Sequence, residues 1–290
     1  MLRPLRNTAY SCNLSLTKMT THLCTFADES MSRARELCVA SAKRNGVSVT
    51  DHRYSPSDTE DLLLRHGILP IARGCGYWAW KPAIILSAMD KIGLARTSFN
   101  LQNPPDYLIY ADAGVEFIAP VSPIIERMDQ DIFLFGNNWE HAHWCKRDVV
   151  DEVWPVRFQG RTIDIGDQVW QDFGKQVQAS VIFFRVSDYA RQFVAEWLKW
   201  CLFEGGRLID DSPSRAPNHE QFRENRHDQS ILTTMAYREG LRLHYWPAVY
   251  NRGGSPEFVY EKLPEYAGDD YPILFSHHRR RNNEMEAVPR

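Results

Sequence analysis

An apolar strand pattern runs directly into an isolated aspartate between Tyr107 and Glu116. Leu108 and Ile109 favour the interior of a sheet, whereas Asp112 brings a carboxylate to the end of the same strand. Open α/β sheets bind ligands at the carboxyl edge of their strands, so Asp112 is predicted to meet a cationic or hydroxyl-rich group. A divalent metal on a nucleotide and a ribose are both such groups. The alternative is an ordinary turn, because Asp and Gly are common turn residues.

Strand and helix patterns alternate through the first two thirds of the chain. The predicted strands cover residues 22–28, 47–54, 107–112, 131–136, 179–184 and 241–246. The predicted helices cover 30–45, a segment from Pro82 to a stop at Gly93, 190–202, and a short stretch from Asp228. Because such alternation builds parallel sheets with both faces covered, it predicts an α/β fold with a mostly parallel central sheet flanked by helices, in a single large domain.

Composition narrows the class of protein. With 290 residues, of which 43% are hydrophobic, the chain is long enough to bury a full core. A formal net charge of -3 gives no overall attraction to a phosphate backbone, so no nucleic acid partner is expected. No apolar run reaches the roughly 18 residues that a membrane helix needs. Six cysteines without a CxxC pair favour a reducing compartment, which predicts a cytoplasmic location.

The two ends differ in character from the middle. Residues 1–21 carry Arg3, Arg6 and Lys18 without an acidic residue, and we predict a flexible leader there. Residues 22–276 are predicted to form the folded domain. The arginines from 279 to 281 make the segment 277–290 a predicted basic C-terminal tail in solvent.

A glycine-rich and aromatic segment precedes the helix that is predicted at Pro82. Gly74 and Gly76 flank a cysteine, and Tyr77, Trp78, Trp80 and Lys81 follow. Backbone freedom and positive charge at a helix start suit a phosphate group, and aromatic faces suit a base or a sugar ring. The segment lacks both GxGxxG and GxxxxGK[ST], which disfavours the common dinucleotide and P-loop sites. The alternative is a cluster of aromatic side chains that pack around a tight turn.

Polar residues follow two other predicted elements. The run from Asn137 to Asp148 comes after a strand, so Glu140 is a candidate base or hydroxyl ligand, and Lys146 and Arg147 are candidate phosphate contacts. The sequence Arg-His-Asp-Gln at 226–229 opens a helix and can present a carboxylate and an amide to a sugar. Surface charge is the alternative for the first run. An acid at a helix N-terminus is favourable in any case, which is the alternative for the second.

Five blocks in this order resemble GT-A-type nucleotide-sugar glycosyltransferases, and most of all the poorly characterised bacterial, algal and large-virus members with a YWxWKP block. The resemblance covers roughly residues 20 to 250. Its blocks are Arg73-Gly-Cys-Gly-Tyr-Trp-Ala-Trp-Lys-Pro82, Tyr110-Ala-Asp-Ala-Gly114, Glu140 with Trp144-Cys-Lys-Arg-Asp148, Gln178-Ala-Ser-Val-Ile-Phe-Phe184 and His227-Asp-Gln-Ser-Ile-Leu232.

The resemblance implies transfer of a sugar from a nucleoside diphosphate donor to a hydroxyl of a glycan, glycoprotein or other glycoconjugate. The expected donor is a UDP-sugar, with UDP-xylose and UDP-galactose as candidates. Asp228 is the favoured general base and Glu140 the second candidate. Inversion and retention at the anomeric carbon both stay open. The donor-binding residues that it implies are Phe26, Ala27, Arg73, Tyr77, Trp78, Lys81, Asp112, Ala113, Gly114, Gln178, Ala179, Ser180 and Gln229. Those for the acceptor are Trp144, Lys146 and Arg147.

The resemblance also implies a metal site with one departure. Asp112 occupies the first position of an Asp-x-Asp motif, but Gly114 occupies the second. Mn²⁺ or Mg²⁺ would then depend on Asp112, with His277 as a candidate further ligand, and one carboxylate holds such an ion less firmly than two. Lys81, Arg73 or Arg147 could supply the positive charge instead.

Two other functions are compatible with the same residues. One is a carbohydrate- or nucleotide-binding protein that keeps the fold without catalysis, which the missing second aspartate favours. The other is a metal-dependent phosphoesterase or nuclease that uses Asp112, Glu116 and His277.

Overall fold

A six-stranded sheet forms the centre of the computed structural model, which describes residues 20–47, 51–95, 105–154, 157–158, 161–162, 166–251 and 257–285. The strands are β1 (Thr21–Phe26), β2 (Asp51–Tyr54), β3 (Tyr107–Ala111), β4 (Val115–Phe117), β5 (Ile132–Glu140), β6 (Arg157–Phe158), β7 (Arg161–Thr162), β8 (Lys175–Arg185), β9 (Leu243–Tyr245), β10 (Ala248–Tyr250), β11 (Phe258–Val259) and β12 (Phe275–His277). The central sheet has the order β2-β1-β3-β8-β5-β9. β8 is antiparallel to both of its neighbours, and the other strands share one direction.

Helices cover both faces of this sheet. They are α1 (Ser32–Arg44), α2 (Glu60–Arg65), α3 (Arg73–Tyr77), α4 (Trp80–Ala95), α5 (Ser122–Ile125), α6 (Arg147–Val153), α7 (Asp188–Cys201), α8 (Asp228–Arg238) and α9 (Asn282–Met285). Short 3₁₀ segments lie at Glu29–Met31, Pro56–Asp58, His141–His143, Gly166–Asp172, Phe203–Gly205 and Pro264–Tyr266.

Alternate residues of the central strands enter two separate cores. Leu108 and Tyr110 of β3 pack in the core that α4, α7 and α8 cover. Ile109 and Ala111 pack in the opposite core, with residues of α1 and the second sheet. Since side chains alternate along a strand, a strand between two cores needs apolar residues at every position. This explains why the sequence from 107 to 111 is continuously apolar.

A second sheet, with the order β11-β10-β12-β4, brings the end of the chain beside β3. β12 pairs antiparallel with β4, and His277 lies opposite Val115. β12 crosses the predicted boundary between 276 and 277. The predicted leader lies outside the described residues up to residue 19, and Thr21 is already the first residue of β1.

The predicted α/β fold with a mostly parallel central sheet and flanking helices is confirmed. The predicted stop at Gly93 is wrong, because α4 continues to Ala95. A mid-helix glycine costs only about 1 kcal/mol relative to alanine, and this helix tolerates it. β5 extends past the predicted end at Gly136 to Glu140. Among the described residues, none of the helices has the length and apolar character that crossing a bilayer would require.

The packing around Gly136 in β5 leaves no space for a side chain. A Cβ at this position would lie 2.0 Å from the Tyr266 hydroxyl oxygen and 2.9 Å from its ring carbon Cζ. We expect Gly136→Ala to lower the free energy of unfolding by about 1–3 kcal/mol in urea titrations, because overpacking displaces a buried ring. Tyr266→Ala should relieve this clash, so the double variant should lose less than the sum of the single ones. Strict additivity would contradict the explanation.

Candidate functional site

Three charged side chains meet where β3 ends. Asp112 follows β3 directly, and its backbone N–H donates to the Ser180 carbonyl of β8 at 2.8 Å. Lys81 reaches this point from the first turn of α4, and Asp228 from the first residue of α8. The Lys81 Nζ lies 3.6 Å from Asp112 Oδ1 and 3.3 Å from Asp228 Oδ2. It also donates to the Ala179 carbonyl at 3.1 Å. We call Lys81, Asp112 and Asp228 the charged cluster.

The charged cluster is largely removed from water. The Lys81 and Asp228 side chains are each 5% exposed, whereas Asp112 is 31% exposed. Burial raises the pKa of Asp228 to about 6, since the nearby charge of Asp112 adds to the effect and Lys81 only partly opposes it. Burial alone would lower the pKa of Lys81, but the two carboxylates outweigh it and raise that pKa. Lys81 therefore stays an ammonium while Asp228 exchanges its proton close to neutral pH.

Tyr110 supports the exposed carboxylate from below. Its hydroxyl donates to Asp112 Oδ1 at 2.5 Å, and its ring lies 5.2 Å from the Lys81 Nζ. Burial, with the charge of Asp112, raises the pKa of Tyr110 well above its ordinary value, so the phenol keeps its proton and remains a donor. Asp112 is thus fixed in orientation by a neutral group while its carboxylate stays partly exposed to solvent.

The glycine-rich segment forms a left-handed turn immediately before α4. Gly74, Cys75 and Gly76 all have left-handed backbone angles inside α3, and Tyr77 and Trp78 follow at φ 54 and 60. A non-glycine residue in this region costs about 1–2 kcal/mol. The turn is stabilised by a hydrogen bond from the Trp80 indole to the Gly74 carbonyl at 2.8 Å.

Aromatic rings of this segment contact two other elements. The Trp80 ring stacks on Phe26 of β1 with ring centroids 3.8 Å apart. The rings of Tyr77 and Trp78 lie 5.4 and 5.2 Å from the ring of His227. The segment thus connects the first strand to the residue that precedes Asp228.

His227 holds a strained backbone immediately before Asp228. It has φ 55 and ψ -125 at the N-cap of α8, and its Nδ1 lies 2.6 Å from the Ile209 carbonyl oxygen. A carbonyl only accepts, so Nδ1 carries the proton. Burial lowers the pKa of His227, which keeps the ring neutral. Strain of this kind persists where surrounding contacts enforce it, and here it orients the first turn of α8.

Other residues that the resemblance implies make side-chain hydrogen bonds or apolar contacts with their neighbours. Gln178 donates to the Ser180 hydroxyl at 2.8 Å, and both side chains are buried. Gln229 donates to the Gln176 side chain at 2.7 Å. Ala27 and Ala113 pack together in a small apolar cluster with Ala34 of α1.

Several predicted residues make contacts away from the charged cluster. Glu140, 46% exposed, pairs with Lys175 on β8. Lys146 is almost fully buried, and its ammonium lies 2.8 Å from Asp210. Arg147 pairs with Asp151 one turn further along α6.

Trp144 belongs to an aromatic pair at the far end of β5. Its ring stacks on Trp139 with centroids 4.8 Å apart, and the Arg226 guanidinium carbon lies 4.3 Å from the Trp144 centroid. Trp139 is 40% exposed. Arg226, which lies two residues before α8, thus packs against both rings.

The residues around Asp112 do not fit a divalent metal site. Its Oδ1 already accepts from Tyr110, and the Lys81 ammonium is nearby. The other candidate, His277, accepts a hydrogen bond at Nε2 from the Arg279 guanidinium at 3.1 Å. Within the described ranges, no group of three or more His, Cys, Asp or Glu side chains could hold a metal ion. The convergent carboxylates that a two-metal phosphoesterase needs do not occur in that part of the chain.

Four residues that contact the predicted site residues were not themselves predicted as site residues: Tyr110, Arg226, His227 and Arg279. Tyr110, Arg226 and His227 lie within one or two residues of Asp112 or Asp228, so proximity in sequence was the available signal. Arg279 had no such signal, because only the pairing of β12 with β4 brings it to Gly114.

The chain matches no family model and no curated protein. Solved structures with a partial likeness include the galactosyltransferase LgtC in complex with donor and acceptor sugar analogs, at 11% identity and TM-score 0.43, covering 89% of this chain and 87% of that one. The apo bifunctional glycosyltransferase WbbM has 11% identity and TM-score 0.44, with 96% of this chain and 47% of that chain covered. Apo mouse xyloside xylosyltransferase 1 has 10% identity and TM-score 0.42, with 93% and 100% covered.

Proposed function

We propose that this protein is a glycosyltransferase that moves a sugar from a UDP-sugar to a hydroxyl of a glycan or glycoconjugate. The observation that carries the proposal is the charged cluster at the carboxyl edge of the central sheet. It combines a partly exposed carboxylate, a buried ammonium, and a second carboxylate whose pKa is raised to about 6. Groups with perturbed pKa values in a cleft are candidates for acid and base roles.

Asp228 is the proposed general base. In its ionised form it would accept the proton of the acceptor hydroxyl as that oxygen bonds to the anomeric carbon and the bond to the diphosphate breaks. The Lys81 ammonium at 3.3 Å fixes the orientation of the carboxylate and offsets charge in the cleft. Asp112, which is partly exposed and oriented by Tyr110, is the proposed contact for hydroxyl groups of the donor.

The left-handed turn is the proposed base-binding edge. Tyr77 and Trp78 are both partly exposed, and their rings border the residue before Asp228. A planar uracil would gain stacking area on such rings. Because the non-glycine residues of this turn are held in unfavourable backbone angles, the rings are positioned before any ligand binds.

A thermal-shift screen followed by turnover assays tests this proposal. UDP and UDP-sugars should raise the melting temperature more than GDP, CMP and their sugars, because they should bind more tightly. A ligand at about 100 times its Kd adds roughly 2.7 kcal/mol of stability. UDP release from at least one UDP-sugar should then be measurable by mass spectrometry. Binding without turnover of any donor would favour the catalytically inactive binding protein instead.

A further inference from the structure

The segment after β12 occupies the turn that follows Asp112. The Gly114 carbonyl accepts hydrogen bonds from the backbone N–H groups of His278 at 3.0 Å and Arg279 at 3.3 Å. A Cβ at position 114 would lie 2.9 Å from the Arg279 Cα, so any side chain there would displace this backbone. Gly114 thus occupies the position where the resemblance implies a second acidic residue, and the Arg279 backbone packs directly against it.

Arg279 is exposed at this turn. Its backbone has φ 50, which is unfavourable for a residue with a side chain, and its guanidinium donates to His277. Burial, with the charge of Arg279 next in size, lowers the pKa of His277 well below its ordinary value, so the ring is neutral. The charge of Arg279 is thus not neutralised by the group to which it donates.

Two more arginines pair with a single carboxylate, Glu224. Arg226 Nη1 lies 2.7 Å from Glu224 Oε1, and Arg73 Nη1 lies 3.9 Å from Glu224 Oε2. Burial lowers the pKa of Arg226, and the positive charges of Arg73 and Arg279 lower it further against the effect of Glu224. Arg73 and Arg226 therefore share one negative charge, and the positive charge of Arg279 acts on Arg226 as well. We call these three guanidinium groups the arginine cluster.

Arg226 is held in a fixed position within the arginine cluster. Its guanidinium carbon lies 4.3 Å from the centroid of Trp144 and 5.2 Å from that of Trp139. Its Nε is buried and makes no hydrogen bond to the described residues. A guanidinium that is stacked, partly desolvated and incompletely bonded is well prepared to bind an anion, since little side-chain entropy remains to be lost.

We propose that the arginine cluster binds the diphosphate of the donor and does so without a divalent metal. This inference rests on the proposed function, because it assigns the diphosphate-binding part of the same site. A diphosphate offers several acceptor oxygens and at least two negative charges, which suits a cluster of three guanidinium groups in which Glu224 pairs with only Arg73 and Arg226. A metal between Asp112 and His277 would instead lie beside the positive charges of Lys81 and Arg279.

The test compares binding of UDP and uridine by titration calorimetry, in EDTA and in Mn²⁺. Wild-type protein should bind UDP in EDTA with an affinity within a few fold of that in Mn²⁺. Arg226→Gln and Arg279→Gln should each weaken UDP binding by about 10- to 100-fold, as expected for a charged hydrogen-bonding group, and leave uridine binding unchanged. Arg191→Gln is the matched control, because Arg191 pairs with Asp90 on the outer helices. Thermal melts show whether the variants fold. If Arg226→Gln does not fold, the test rests on Arg279→Gln, because Arg279 is exposed.

The outcomes separate this inference from the proposed function. UDP binding that disappears in EDTA, with both arginine variants within about twofold of wild type, would overturn the inference while leaving a glycosyltransferase intact. Arginine-dependent binding in EDTA without turnover of any UDP-sugar would support the inference and remove the proposed function. No UDP binding in either buffer would overturn both.

Discussion

Asp228→Asn is expected to lower kcat for sugar transfer by about 10²- to 10⁴-fold, the range that positioned general bases contribute. Asparagine keeps the shape of the side chain and can still accept a hydrogen bond from Lys81, but it cannot take a proton. UDP affinity should stay within a few fold of wild type, because the proposed base does not hold the nucleotide. Product formation at saturating UDP-sugar, followed by mass spectrometry, gives the comparison.

The pH dependence of sugar transfer by the wild-type protein should also depend on Asp228. Burial raises the pKa of Asp228 to about 6, so the base is protonated and inactive below that pH. We expect kcat to rise through an apparent pKa near 6 and to level off above it. This limb should disappear from the residual activity of Asp228→Asn.

The same substitution should stabilise the fold at pH 8. The pKa of Asp228 is raised on folding, so its contribution to stability is present at low pH and is lost as the pH rises through about 6. Removing the buried charge should therefore increase the free energy of unfolding by about 1–3 kcal/mol at pH 8, and by little at pH 4.

Asp151→Asn is the control for the kinetic and stability measurements, because Asp151 is 40% exposed and pairs with Arg147 within α6, whereas Asp228 lies on α8. Glu140→Gln tests the second candidate base. Full activity in Asp228→Asn, or a large loss in Glu140→Gln alone, would remove Asp228 from its proposed role.

Lys81→Met is expected to give the largest loss of stability. Its ammonium lies between two carboxylates and donates to a backbone carbonyl, and its side chain is 5% exposed. Removing one partner from a buried ionic group leaves an uncompensated charge, which costs about 3–5 kcal/mol. Urea denaturation at pH 8 should show this loss. It should shrink at acid pH, where protonation of Asp228 removes the repulsion from Asp112.

Lys91→Met is the matched control on the same helix. The Lys91 ammonium donates a hydrogen bond to the Tyr54 hydroxyl and lies over the Tyr54 ring. The double variant Lys81→Met with Asp228→Asn should recover part of the lost stability, because one buried carboxylate is gone. A loss below about 1 kcal/mol in Lys81→Met, or no recovery in the double variant, would show that the charged cluster is not electrostatically coupled.

Much of the fold was predictable because its strands are unusually easy to recognise. The segment from 107 to 111 is apolar at every position, since the two cores lie on either side of it. Strand direction was harder. β8 carries the same kind of apolar sequence as its neighbours, yet it runs antiparallel, and nothing in its residues records the direction.

The positions of the charged residues were predictable where a strand ends or a helix begins. Asp112 ends a strand and Asp228 begins a helix, so both could be placed at one edge of the sheet. Lys146 shows the limit of such reasoning. It follows β5 as a phosphate contact should, but its ammonium turns inward to Asp210, which lies 64 residues away in sequence. Arg279 shows the opposite case, because the exposed tail residue predicted from a run of arginines contacts Gly114 through a distant strand pairing.

Hydrogen–deuterium exchange with and without saturating UDP tests most directly whether one cleft holds the donor. Binding should slow exchange in four segments that are far apart in sequence: 73–82, 112–116, 226–230 and 277–280. Exchange in the outer 3₁₀ segment at Pro264–Tyr266 should stay unchanged. Protection confined to other segments, or none at saturating UDP, would contradict the assignment of Asp112, Asp228 and the arginine cluster to a shared donor site.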